Sequence, residues 1–111
     1  YVNYCGLPGD KYHAVAERYL PNGSCGVVSF GVKGGREAAA AFMGHLKIAA
    51  IETHVADART CCLHPASSTH RQMNDEQLIA AGVQPDLVRM SCGLEDKNDL
   101  IHDIAQALDQ I

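Results

Sequence analysis

An arginine near the end of the chain is the residue best suited to chemistry. The segment from Arg89 to Asp96 follows a short run, Pro85 to Val88, in which apolar and polar residues alternate as they do in a strand. Gly93 breaks that strand, and Asp96 is a typical N-cap for a following helix. A guanidinium held on a strand can bind a carboxylate through two parallel hydrogen bonds, which a lysine cannot reproduce.

A surface ion pair is the competing interpretation of Arg89. Glu95 and Asp96 lie close to it in sequence, and exposed arginines often pair with such carboxylates at little gain in stability. From these eight residues alone, the ion pair is the more common arrangement. Both interpretations therefore stay open at this point.

Two cysteines and two histidines suggest a metal site: Cys61, Cys62, His64 and His70. Structural zinc sites usually place ligand pairs two to four residues apart on a turn, whereas these cysteines are adjacent in a predicted strand. Neighbours on a strand point to opposite faces, so the pair is also a poor disulfide candidate. We expect no metal, and we expect the five cysteines to be free buried thiols.

Nucleophilic catalysis is a second candidate chemistry, suggested by the polar run Ser67, Ser68, Thr69 and His70. A catalytic serine needs a base within hydrogen-bond reach and a third group that orients the base, and sequence adjacency supplies neither. Hydrogen bonds from these side chains to the backbone of their own loop are the simpler explanation.

Composition describes a folded chain of one domain. The chain has 111 residues, of which 47% are hydrophobic and 20% charged. A net charge of −4 without a basic run gives no support to nucleic-acid binding. No apolar run approaches the ~20 residues of a membrane span, and no signal-peptide pattern is present. Since the chain starts at Tyr1 without a methionine, we expect it to be a piece of a longer protein, with residues 1–10 as a linker.

Four helices and four strands would position these residues. The helices are predicted at 10–20, 36–46, 74–82 and 97–110, and the strands at 25–32, 47–55, 59–64 and 85–89. Asn74 and Gln77 have the spacing of a capping box, and the last helix is expected to place Leu100, Ile101, Ile104, Ala105, Leu108 and Ile111 on one stripe.

The order of these elements predicts the fold class. The loop between the second and third strands is too short for a parallel crossover, so antiparallel pairing is expected there. A small, mostly antiparallel sheet with helices packed on one face accommodates the apolar stripes, and the predicted class is α+β.

Two motifs in the second half of the chain resemble a known family. They are His-Pro-Ala-Ser at residues 64–67 and Arg-x-Ser-x-Gly-Leu-Glu-Asp at 89–96, supported by Tyr-Leu-Pro-Asn-Gly at 19–23. Together they resemble the C-terminal end of the Cys/Met-metabolism PLP-dependent enzymes, over essentially the whole chain. Within that family the resemblance is greatest to the O-acetylhomoserine sulfhydrylase branch.

The resemblance implies a fold, a reaction and a cofactor. The implied fold, for residues 11–111, is the small C-terminal domain of fold-type I PLP enzymes. The implied reaction converts O-acetylhomoserine and sulfide to homocysteine and acetate, in a cytoplasmic homotetramer. In the family, pyridoxal 5'-phosphate and its lysine belong to a large domain, and none of Lys11, Lys33 or Lys47 sits in the lysine motif. The chain alone is therefore expected to bind no cofactor and to be inactive.

The resemblance also implies roles for particular residues. Arg89 corresponds to the arginine that binds the α-carboxylate of the substrate and so orients it against the cofactor. His54 is a candidate substrate-proximal residue, although many relatives carry serine or asparagine there, followed by Leu-Gly where this chain has Val55 and Ala56. Ser67 and Thr69 are expected to shape the loop at the mouth of the site.

Two alternative functions remain open. A cystathionine γ-synthase or a methionine γ-lyase would share the fold and the carboxylate-binding arginine. A stand-alone α+β amino-acid-binding module is a hypothesis of another class, and it predicts that the isolated domain binds an amino acid by itself.

Overall fold

A computed structural model describes residues 1–111 as one five-stranded sheet with four α-helices. The strands are β1 (Val2–Asn3), β2 (Val27–Gly31), β3 (Ala50–Ile51), β4 (Cys61–Leu63) and β5 (Leu87–Ser91). The helices are α1 (His13–Tyr19), α2 (Gly35–His45), α3 (Asp75–Ala80) and α4 (Lys97–Leu108), and a short 3-10 helix spans Pro65–Ser67. None of the helices has the length and apolar character needed to cross a membrane.

The strand that carries Arg89 lies at the centre of the sheet. The strand order is β1-β2-β5-β4-β3, and β5 is antiparallel to both of its neighbours. Ser29 and Leu63 lie opposite Arg89 on the two flanking strands. The predicted α+β class with a mostly antiparallel sheet is confirmed.

Strand alternation separates a core face from an open face of the sheet. Val88 and Met90 of β5 belong to the core, with Phe42 of α2 and Ala107 of α4. The Phe30 and Phe42 rings meet edge to face, with centroids 5.6 Å apart. Because neighbouring strand residues point to opposite faces, Arg89 points away from α2 and α4.

A buried carboxylate joins α4 to the segment after α2. Asp103 is 4% exposed, and its oxygens accept hydrogen bonds from the backbone N–H groups of residues 47 (2.8 Å), 48 (2.8 Å) and 49 (3.1 Å). Gln106 donates a further bond at 3.1 Å. Burial alone would raise the pKa of Asp103, but these hydrogen bonds outweigh it and lower the pKa below its usual value.

The predicted antiparallel pairing of the second and third strands is wrong. β3 has two residues rather than the nine expected from 47–55, and it pairs with β4 in parallel. The strand begins only at Ala50 because Asp103 binds the backbone N–H groups of residues 47–49, which a longer strand would donate to a neighbour. It ends at Ile51, where the exposed loop of residues 52–59 begins. Since only two residues pair, the chain returns through residues 52–60 without a helical crossover.

Two details differ from the sequence-based expectations. Within the predicted linker, residues 1–10, Val2–Asn3 forms edge strand β1 against β2, and the role of the segment as a connection to another domain stays a prediction. The stripe predicted on α4 is only partly buried, since Ile101 is 63% exposed and the helix buries Asp103 and Ala107 instead. The small side chain of Ala107 and the hydrogen bonds of Asp103 fix which side of α4 faces the core.

We expect Asp103→Asn to lower the free energy of unfolding by about 3 kcal/mol, because an amide cannot accept all the bonds that the carboxylate accepts. Urea unfolding at neutral pH measures the change. Since folding lowers the pKa of Asp103, its contribution is complete above the unfolded-state pKa and declines as the pH falls below about 4. The variant should lack that part of the acid dependence.

Asp109→Asn is the matched control for this substitution. Asp109 is exposed at the end of α4, so the same change there should alter the unfolding free energy by less than about 0.5 kcal/mol. Equal unfolding midpoints for the Asp103 and Asp109 variants would contradict the proposed importance of the buried carboxylate.

Candidate functional site

The open face of the sheet contains a groove of about 520 Å³ that includes Arg89. Its walls come from β2, β4 and β5, from the loop after β3 and from the turns around the 3-10 helix. The lining residues are Val27, Ser29, Thr53, Leu63, Pro65, Thr69, His70, Leu87 and Arg89. The groove therefore combines apolar side chains with a few polar groups and one cation, as small-molecule sites commonly do.

Arg89 has hydrogen-bonding capacity that this chain does not use. Its Nη2 donates to the carbonyl oxygen of Thr53 at 2.7 Å, with a longer contact of 3.5 Å to the carbonyl of His54. Its Nε is buried and has no hydrogen-bond partner. Arg89 also lines the groove and forms no salt bridge, so its guanidinium has capacity for an anionic ligand. A carboxylate fits this donor set.

The ion pair considered for Arg89 is absent. Glu95 instead accepts hydrogen bonds from the backbone N–H (2.8 Å) and hydroxyl (2.7 Å) of Thr60, and these bonds lower the pKa of Glu95. Asp96 caps α4, as predicted, by accepting from the N–H groups of Asn98 and Asp99. Both nearby carboxylates are thus used elsewhere, and Arg89 forms no salt bridge.

A loop at the open face supplies the carbonyl groups that bind Arg89. This loop, residues 52–59, is exposed along its whole length. Ala56 has a φ of +58°, a left-handed conformation that costs energy for a residue with a Cβ, and its N–H donates to the Ser91 hydroxyl at 2.9 Å. Leu94 N–H donates to the carbonyl of Ala58 at 2.8 Å. Ser91 and Leu94 of the Arg-x-Ser-x-Gly-Leu-Glu motif therefore hold this loop in place.

His54 contacts Arg89 only through its backbone. Its side chain is 64% exposed, and its Nδ1 lies 3.9 Å from a carboxylate oxygen of Asp57. The groove lining includes Thr53 but not His54. A direct contact between the His54 ring and a substrate stays a prediction.

The polar run after β4 forms local hydrogen bonds, but only Ser67 and Ser68 make the expected side chain to backbone bonds, both to the His64 carbonyl. Thr69 and His70 contact each other through their side chains. The His64 ring is buried, and its Nε2 donates to the Pro85 carbonyl at 2.8 Å, which leaves Nδ1 to accept from the Ser67 hydroxyl at 2.9 Å. Ser68 donates to the His64 carbonyl at 2.6 Å. Thr69 and His70 line the groove, whereas Ser67 does not.

The cysteines are free, but they are not all buried. Cys61 and Cys62 are buried, as predicted, whereas Cys25 and Cys92 are exposed and Cys5 is half-buried. Burial raises the pKa of Cys62 to about 12, so its thiol stays protonated and unreactive at neutral pH. No group of three or more His, Cys, Asp or Glu side chains is arranged to hold a metal ion.

The groove does not fit pyridoxal phosphate as a covalently bound cofactor. Pyridoxal forms a Schiff base with a lysine amine, and the nine lining residues include no lysine. Lys33 instead lines a separate apolar groove beside α4. The residues around Arg89 therefore fit a carboxylate ligand and do not fit the cofactor itself.

Fold and groove together define an α+β domain with an unneutralised arginine on the open face of its sheet. The chain belongs to the Cys/Met metabolism PLP-dependent enzymes, whose family model matches residues 1–109. This finding confirms the resemblance noted from the two motifs.

Relatives within the family share a consistent set of names. An O-acetyl-L-homoserine sulfhydrylase of Thermus thermophilus is 44% identical over 97% of this chain and 26% of its own length. A homocysteine synthase of Schizosaccharomyces pombe is 43% identical over 98% of this chain and 25% of its own length. The chain therefore spans about a quarter of the length of these relatives.

A solved structure shows the same fold. The crystal structure of a putative O-acetylhomoserine (thiol)-lyase from Campylobacter jejuni superposes with a TM-score of 0.85 at 34% identity. The match covers 97% of this chain and 26% of that one, which carries N'-pyridoxyl-lysine-5'-monophosphate.

We expect Ala56→Gly to raise the free energy of unfolding by about 1 kcal/mol, because glycine adopts a positive φ without steric cost. Chemical denaturation of both chains measures the change. The matched control is Ala58→Gly in the same loop, where φ is not positive and added backbone freedom should destabilise by about 0.5–1 kcal/mol. Destabilisation by both substitutions would show that Ala56 is not strained.

Proposed function

We propose that this chain is the C-terminal small domain of a PLP-dependent transferase that converts O-acetylhomoserine and sulfide to homocysteine and acetate. In this proposal Arg89 binds the α-carboxylate of the amino-acid substrate. The observation that carries the assignment is the Arg89 guanidinium, which lines the groove and has no carboxylate partner in the chain. The names of the relatives support the reaction, since they include O-acetyl-L-homoserine sulfhydrylases and homocysteine synthases.

Arg89 would orient the substrate rather than react with it. Its position on central strand β5 limits backbone movement, and the Thr53 carbonyl holds Nη2. A carboxylate bound to two guanidinium nitrogens is fixed in plane as well as in position. The attached amino-acid backbone would then present its Cα in one orientation, which lowers the entropy cost of reaching the reactive geometry.

The rest of the polypeptide would supply the chemistry that this chain lacks. The relatives are about four times as long as this chain, which leaves room for a large domain that holds the cofactor. Pyridoxal phosphate bound there would act as the electron sink of the reaction. Residues 1–10 would connect the two domains, and the chain alone would be inactive. The tetrameric assembly and the cytoplasmic location stay predictions.

The choice of nucleophile separates the transferase from the other family members considered. A sulfhydrylase forms homocysteine with sulfide, a cystathionine γ-synthase prefers cysteine, and a γ-lyase releases a keto acid without adding a nucleophile. One relative, from Pseudomonas aeruginosa, is named an O-succinylhomoserine sulfhydrylase. Assays that compare nucleophiles should therefore also compare the O-acetyl and O-succinyl substrates.

In the whole enzyme, we expect Arg89→Ala to lower kcat/KM for O-acetylhomoserine by an amount equivalent to about 2–5 kcal/mol, because the substrate carboxylate loses a charge-assisted clamp. Homocysteine formation with saturating sulfide measures the effect, and the absorbance of bound pyridoxal phosphate shows whether the cofactor site is intact. Arg89→Lys should recover only part of the loss, since an ammonium cannot bind a carboxylate in the same planar way.

Arg18→Ala is the matched control, because Arg18 lies at the end of α1 and outside the groove. We expect it to leave kcat/KM unchanged. Wild-type kinetics for Arg89→Ala, with cofactor bound, would remove Arg89 from the substrate site.

A further inference from the structure

We infer that Ser91 is a positioning residue for substrate binding, which acts on Arg89 through the loop 52–59 and does not touch the substrate. The inference rests on the proposed function of Arg89. It starts from a buried hydroxyl, since Ser91 is 2% exposed at the end of β5, two residues after Arg89. The Ser91 hydroxyl oxygen accepts the N–H of Ala56 at 2.9 Å.

The bond between Ser91 and Ala56 has no substitute within the loop. Between residues 53 and 57, the only other hydrogen bonds to residues outside the loop 52–59 are those that Arg89 itself makes to the carbonyls of Thr53 and His54. Asp57 accepts the N–H of Arg59, but that bond lies within the loop. On either side of this segment, the Glu52 N–H donates a hydrogen bond to the Cys62 carbonyl, and the Leu94 N–H donates one to the Ala58 carbonyl. Ser91 therefore holds the middle of the segment that carries the acceptors of Arg89.

The conformation of Ala56 shows why the bond is needed. A φ of +58° costs an alanine roughly 1 kcal/mol or more, so the loop would relax toward an ordinary conformation if nothing opposed it. The hydrogen bond to a buried hydroxyl offsets that cost. A relaxed loop would move the Thr53 carbonyl, which lies three residues earlier and binds Nη2 of Arg89.

The consequence falls on Arg89 because its guanidinium has few fixed partners. Nη2 is held by the loop carbonyls, and Nε has no partner at all. If the Thr53 carbonyl moves, the guanidinium gains freedom, and a carboxylate ligand must then restrict more side-chain motion on binding. The expected defect is weaker binding of the amino-acid substrate, with little effect on sulfide, which has no carboxylate.

The test compares variants of the whole enzyme in steady-state assays of homocysteine formation. We expect Ser91→Ala to raise the KM for O-acetylhomoserine about tenfold, the factor that corresponds to one hydrogen bond. The KM for sulfide should stay unchanged. Ser91→Thr keeps the hydroxyl and should restore most of the KM. Ser24→Ala, outside the groove, is the matched control and should behave as wild type.

A double-substitution cycle separates a positioning role from a general loss of stability. If Ser91 acts through Arg89, adding Ser91→Ala to the Arg89→Ala enzyme should change kcat/KM by less than about twofold. An equal loss in both backgrounds would overturn the inference, as would a wild-type KM for Ser91→Ala. If Ser91→Ala does not fold, Ser91→Cys replaces the oxygen by a weak acceptor of similar size, and the same outcomes apply.

The same cycle distinguishes failure of the inference from failure of the proposed function. A wild-type kcat/KM for Arg89→Ala would refute the assigned role of Arg89, and the role of Ser91 would fall with it. If Arg89→Ala strongly lowers kcat/KM but Ser91→Ala has no effect, or has the same effect in both backgrounds, the positioning role of Ser91 is refuted. The proposed role of Arg89 would then still stand.

Discussion

Central strand β5 places alternate side chains in the hydrophobic core and on the open face of the sheet, and the arrangement of the domain depends on this alternation. Val88 and Met90 are buried against α2 and α4, while the residues between and after them, Arg89 and Ser91, point to the open face. A shift of one residue in register would bury the guanidinium and expose the core. Pairing with β2 on one side and β4 on the other fixes the register and therefore fixes Arg89 in the groove.

Three carboxylates of this domain, those of Asp103, Glu95 and Asp96, bind backbone N–H groups rather than neutralise Arg89. Asp103 accepts three backbone N–H groups, Glu95 accepts the N–H and hydroxyl of Thr60, and Asp96 caps α4. Each is satisfied by uncharged donors at close range. A carboxylate with enough hydrogen bonds has little to gain from a distant cation, and Arg89 is left with capacity for an external anion.

Local sequence signals were enough to predict the elements whose stability is local. The capping box of Asn74 and Gln77 and the cap at Asp96 occur as expected, because each depends on residues three or fewer positions apart. The shortened β3 could not be predicted in this way. Its late start is caused by Asp103, more than fifty residues away, which binds the backbone N–H groups of residues 47–49.

In the candidate site, too, local features could be predicted from the sequence, whereas contacts between distant residues could not. The residue type and strand position of Arg89 are compatible with a carboxylate ligand, but from the sequence alone a nearby ion pair is the more common arrangement. Only the three-dimensional structure shows that Glu95 is engaged by Thr60, and that the guanidinium binds the carbonyl of Thr53, 36 residues away. The role of Ser91 was missed for the same reason, since a serine within a strand carries no signal about a loop that folds over it. The positive φ of Ala56 was missed as well, although the departure from the Leu-Gly pattern at that position was a usable signal.

The most direct test is a crystal structure of the whole enzyme with O-acetylhomoserine or an unreactive analogue bound. We expect both oxygens of the α-carboxylate to lie within about 3.2 Å of two guanidinium nitrogens of Arg89, with the Thr53 carbonyl still bound to Nη2. A substrate carboxylate held by other residues, with the Arg89 guanidinium unchanged and free of ligand, would contradict the account.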